Sequence, residues 1–226
     1  MTLVTWRRLS SMPPPERELL DVEADGSFRL WRSIAPVVGR FGGSLPAGVV
    51  SELEGLVSAV GSAAAPRPGS LPADASVEQL EVGGARSVFE AGAEADPPWG
   101  DLLAACRRIA DARTDAPVAA IALEVGLTDG RARIRLVQRG TGTLPVELAS
   151  GRAKVAVWRG MENPANALAG FDLGRVEAGP GWDAETTAEL PVLEAGDKVT
   201  ATVTFIVDDG GVFIPVAMSA TAVAPA

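Results

Sequence analysis

The chain has 226 residues, 47% hydrophobic and 22% charged, enough to bury one large core or two of ordinary domain size, about 100 to 150 residues each. It holds no histidine, no tyrosine and a single cysteine, which removes imidazole general bases, histidine and cysteine-cluster metal sites, tyrosine nucleophiles and internal disulfides. With 20 basic against 29 acidic residues the formal charge is −9, the wrong sign for a protein that neutralises phosphate, so no nucleic-acid partner is expected.

Residues 1–26, with Trp6, the pair Arg7 and Arg8 and the run Pro13 to Pro15, read as an N-terminal extension. No apolar stretch approaches the roughly 18 residues of a membrane span, and no cleavable leader pattern follows, so a cytoplasmic chain without membrane contact is expected. From Ser27 to Ser33 the alternation predicts a strand, with Phe28 and Leu30 on one face and Trp31 on the other. A loop containing Pro36, Gly39, Gly42 and Gly43 follows. Behind Pro46, whose missing N–H costs nothing at a helix start, Val49, Leu53, Leu56, Val57 and Val60 recur at helical spacing.

Residues 62–75, rich in Ala, Pro, Gly and Ser, read as a loop. Val77 to Val82 and Ala85 to Phe89 flank Gly83 and Gly84, a hairpin signal whose turn needs positive φ at both centres. Asp96 to Trp99 opens a second helix with Trp99, Leu102, Leu103, Cys106 and Ile109 inward and Arg107, Arg108 and Arg113 toward the end that favours cations. Cys106 reads as a small core hydrophobe. Thr114 to Pro117 is the expected boundary, which divides the chain into a 27–113 module and a 118–226 domain.

Beyond the boundary, short strands are expected at Val118 to Val125, Arg131 to Leu136, Leu144 to Leu148, Arg152 to Trp158, Phe171 to Val176, Thr186 to Val192, Lys198 to Phe205 and Val212 to Val223. The Lys198 run separates an apolar face (Val199, Ala201, Val203, Phe205) from a polar one (Lys198, Thr200, Thr202, Thr204). The expected fold class is therefore an α+β N-terminal module followed by an all-β immunoglobulin-like sandwich.

The first module resembles emfourin, a small bacterial inhibitor of thermolysin-like metalloproteases, through Phe28, Trp31 to Ser33, Phe41 to Gly43, Leu45 and Pro46, Leu53, Leu56 and Val57, Ala59, Val82 to Gly84 and Pro97 to Leu103. The resemblance implies inhibition by an exposed loop after the first strand. Its positional match is Ser33, Ile34, Ala35 and Pro36, where the family carries a glycine-rich loop. The second half is similar to the immunoglobulin-like domains of bacterial binding proteins, proteinase inhibitors among them, through Leu136 to Gly140, Pro145 to Leu148, Val155 to Trp158 and Leu193 to Asp197.

Constellations for bond-making chemistry are thin. Gly140 and Gly142 lack a third glycine, and Pro145 blocks the helix a dinucleotide fingerprint needs. The only lysines, Lys154 and Lys198, lie in no phosphate loop. Asp183 with Glu185, and Asp208 with Asp209, are expected in solvated turns and lack a calcium-loop pattern. No enzyme activity, cofactor or metal is expected.

Arg131, Arg133 and Arg135 alternate with apolar residues and form a comb about 6.6 to 7 Å between teeth, which either grips an acidic partner or pairs with cross-strand carboxylates such as Glu124 or Glu147. Trp182, in a Gly-Pro-Gly stretch, joins it as an interface candidate. The functional expectation is a non-catalytic protein-binding protein, a proteinase inhibitor or protease-binding accessory acting through Ser33 to Pro36. The alternative is a scaffold subunit of a bacterial assembly.

Overall fold

The computed structural model describes residues 1–10, 17–33, 37–64, 66, 75–92, 94–113, 115–148, 152–171, 173–209 and 211–225. In chain order the elements are β1 (Thr2–Leu9), β2 (Arg17–Glu23), β3 (Ser27–Arg32), β4 (Val37–Ser44), α1 (Ala47–Ser62), β5 (Val77–Val82), β6 (Ala85–Glu90), α2 (Trp99–Ala112), β7 (Pro117–Thr128), β8 (Arg131–Gly140), β9 (Leu144–Glu147), β10 (Arg152–Arg159), β11 (Glu162–Gly170), β12 (Arg175–Ala178), β13 (Asp183–Glu189), β14 (Lys198–Asp209) and β15 (Val212–Val223). They fall into two compact units, residues 1–32 with 40–117, and residues 33–39 with 118–226. Among the described residues no helix is long and apolar enough to cross a membrane.

In the first unit the strands run in the order β4-β3-β2-β1-β5-β6. Alternation decides which face is buried: Trp6 stands opposite Leu20 and Leu80, and Leu20 opposite Leu30, so one face is a continuous apolar layer. Helix α1 packs over β1 and β5, and α2 over β2. Helix α1 starts behind Pro46 and buries Leu53 and Val60, whereas α2 buries Trp99, Leu102, Leu103, Ala105, Cys106, Ile109 and Ala110. The β5–β6 turn places Gly83 at φ 57° and Gly84 at φ 82°, the conformation a tight hairpin requires.

In the second unit β13, β8 and β7 pair in that order, with the opening residues of β4 beside β7. A Cβ on Gly39, at φ +145°, would come within 2.3 Å of the Ala119 carbonyl oxygen, so the close approach of backbones there requires glycine. The other sheet has β14 as its spine. Lys198 to Val203 pair with β10, Ile206 and Val207 pair with β9 farther along, and β15 lies along the whole length. β11 extends the sheet beyond β10, and β12 beyond β9. The apolar face read from the sequence is buried: Val199, Ala201, Val203 and Phe205 all point inward.

The expected fold class is corrected by this architecture. The chain is 59% strand and 15% helix, built of two antiparallel sheets, and an α+β module followed by an immunoglobulin-like sandwich is not what it forms. The misreading has a physical source. β1, β2 and β4 were hidden: Trp6 alternates into the core between Thr5 and Arg7, and Gly39 of β4 serves a close backbone approach rather than a loop. β11 was also missed, because it carries Asn163, Pro164 and Asn166 on a strand that pairs on one side only among the described strands. Asp183 and Glu185, expected in a turn, lie in β13.

Candidate functional site: an open sheet face

Ser33 is buried, and Ile34, Ala35 and Pro36 lie outside the described residues. The arginine comb does project from one face of β8, and it meets its own neighbours. Register sets Arg131 opposite Glu189, Arg133 opposite Thr187 and Arg135 opposite Glu185. Arg131 closes on Glu189 at 2.6 Å, while Arg133 and Arg135 reach diagonally to Glu185 at 2.6 Å and Asp183 at 2.7 Å. From β7, Glu124 engages Arg139 and stands 3.8 Å from Arg135. The hydrogen bond between Arg133 and Glu185 lowers the carboxyl's pKa and raises the guanidinium's. Four guanidiniums therefore face four carboxylates, and the comb offers little free charge to a partner.

Trp182 is half-buried at a turn, its N–H donating to the Gly179 carbonyl at 3.0 Å while its carbonyl accepts from the Gln138 N–H at 3.0 Å. Cys106 is fully buried, and desolvation pushes its thiol up to about 12, so it stays protonated and unreactive at neutral pH. The buried carboxylates Glu18, Glu78 and Asp197 are each engaged by arginine, at Arg32, Arg107 and Arg159. Among the described residues no three Asp, Glu or Cys side chains gather in a way that suits a metal ion.

A different surface stands out once the register is known, the solvent face of the sheet built on β14. Its rows run straight across four strands. Leu168, Lys154, Thr202 and Ser219 form one row, and Asn166, Ala156, Thr200 and Thr221 the next. Trp158, Lys198 and Val223 form a third row over three strands. Hydroxyl pairs tie the last two strands together, Thr200 to Thr221 and Thr202 to Ser219, each at 2.9 Å.

Three apolar side chains of these rows stay in solvent, Trp158 at 38% exposed, Leu168 at 66% and Val223 at 58%, and Phe213, 57% exposed, lies farther along the same face of β15 opposite Asp208. Arg152 shares the face, two residues before Lys154. Among the described residues Arg152, Lys154 and Lys198 form no ion pair, and no carboxylate projects from these rows. Sequence reasoning had named the polar face of β14 and the two lysines but not their convergence, which follows from pairing across residues 152–223. No family model, curated protein or solved structure matches the chain.

Proposed function

We propose that this chain is a non-catalytic protein-binding protein, a scaffold or accessory subunit that docks through the solvent face of β10, β11, β14 and β15. The observation that carries the reading is the set of Trp158, Leu168 and Val223, solvent-exposed on three strands of one sheet. Large apolar groups on rigid strands lose little conformational freedom when covered, and aromatic anchors dominate the energetics of protein contacts. In the protease-inhibitor version of the reading the contact is made by Ser33 to Pro36; Ser33 is buried, which favours the sheet face.

The test is capture from an extract of the native host with the whole chain as bait, comparing it with Trp158→Asp and Leu168→Asp. Loss of a specifically retained protein, with circular dichroism unchanged, is the expected result. An identical retained set from the variants would remove this face from consideration.

A further inference from the structure

We infer that the occupant of this face is an acidic polypeptide surface, an inference that rests on the docking role proposed above and specifies its chemistry. The argument starts from charge accounting. The chain carries a formal charge of −9, yet the three rows described above, with Arg152 beside them, hold three cations and, among the described residues, no carboxylate. The nearest acidic residues of these strands are Glu162, opposite Arg159 at the start of β11, and Asp208, paired with Arg175 at the far end of β14. Elsewhere in the same unit arginines are neutralised locally, as Arg131, Arg133 and Arg135 are by β13. Among the described residues, cations without a carboxylate in their own rows attract anionic groups, and a partner must bring the carboxylates that these rows lack.

The layout suits a protein rather than a point anion. Strands about 4.8 Å apart, with same-face residues about 6.8 Å apart along each, spread the three cations along about 20 Å of the two adjacent strands β10 and β14, within a four-strand patch roughly 15 Å wide. Lys198 sits directly between Trp158 and Val223, and Lys154 directly beside Leu168, so each lysine flanks an apolar anchor. That mixture matches apolar knobs covered by a partner whose own acidic groups reach the cations beside them. A second copy docking face to face is disfavoured, because two-fold symmetry would oppose Arg152, Lys154 and Lys198 to the same three residues.

The probe is poly-L-glutamate, followed by amide chemical shifts of the isotope-labelled full chain, with dextran sulfate as the rival polymer. The expected result is saturable shifts confined to β10, β11, β14 and β15. Raising the salt from about 0.05 M to about 0.5 M should weaken them, since the screening length falls below about 5 Å. Combined Arg152→Gln, Lys154→Gln and Lys198→Gln should reduce affinity by about tenfold or more, while Arg131→Gln leaves it within about twofold. If the triple variant fails to fold, Lys198→Glu alone is expected to give a loss of at least about threefold.

Absence of shifts on this face, equal affinity in the charge variants, or a response to dextran sulfate without one to poly-L-glutamate would each overturn the inference. The two readings fail separately. If poly-L-glutamate does not bind while Trp158→Asp still abolishes capture, docking stands without the acidic partner; if Trp158→Asp changes nothing in capture, the docking role itself falls.

Discussion

Asp197 organises the end of the chain with a single side chain. Its carboxylate accepts from the Arg159 guanidinium at 2.8 and 3.0 Å and from the Glu194 backbone N–H at 2.8 Å, while its backbone carbonyl accepts from the Ala224 N–H at 2.8 Å. The arginine hydrogen bond comes first and the backbone one second in holding its pKa at about 2, below the ordinary 3.8. A depressed carboxyl pKa stabilises the folded state above the unfolded value, and that contribution disappears as pH falls from about 4 through about 2. Asp197→Asn is therefore expected to lower the Tm at pH 7, with the gap from the parent closing as pH approaches 2. Thermal unfolding across that range checks it, and a gap that is constant with pH would contradict the assignment.

Helix α2 is fastened to its sheet by charge as well as by its apolar stripe. Arg107 Nε donates to both carboxylate oxygens of Glu78 at 3.0 Å, and a second guanidinium nitrogen adds a further bond, with Glu78 itself buried on β5. Nearby, Glu18 of β2 holds Arg32 at 2.9 Å, and Arg32 reaches Asp111 of α2 at 3.3 Å. The stripe was legible from spacing, but Arg107 and Arg108 were expected to serve the helix dipole, and they bond Glu78 and Glu52 instead.

Removing Arg107 leaves a buried carboxylate without its guanidinium. Because that guanidinium is itself about a third exposed, Arg107→Met is expected to cost about 2 to 3 kcal/mol, with Glu78→Met added to it restoring part of the loss. Urea denaturation of the two single variants and the double variant measures the coupling; additive losses would mean that the pair is not coupled. The β8–β13 pairs belong to a different class. Exposed on both sides, these pairs are screened by solvent, so the comb contributes register more than stability.

At the scale of the whole molecule, the acidic excess keeps copies apart. The isoelectric point near 4.6 is where that repulsion vanishes. β15, twelve residues from Val212 to Val223 without a charged side chain, pairs with β14 alone among the described strands and is the edge most open to another chain. Turbidity is expected to peak near pH 4.6, and Ser219→Lys, placing a charge on the solvent face of that edge, to reduce the peak. An unchanged peak would show that association runs through another surface.

Local physics made some elements readable from the residues alone. The period-two face of β14, the helical stripe of α2 and the Gly83-Gly84 hairpin depend on neighbours within a few positions, and so the sequence by itself determined them. It also determined that imidazole chemistry is absent and that lysine occurs at only two positions. Tertiary structure alone decided the rest. Which carboxylate neutralises Arg133, why Gly39 must be glycine, that Trp6 is core, and that Lys154 and Lys198 share an open face with Trp158 all depend on register between strands distant in the chain. A one-residue slip in those pairings would exchange every buried side chain for an exposed one, and the choice among registers is made by the packing of the whole core rather than by any single segment.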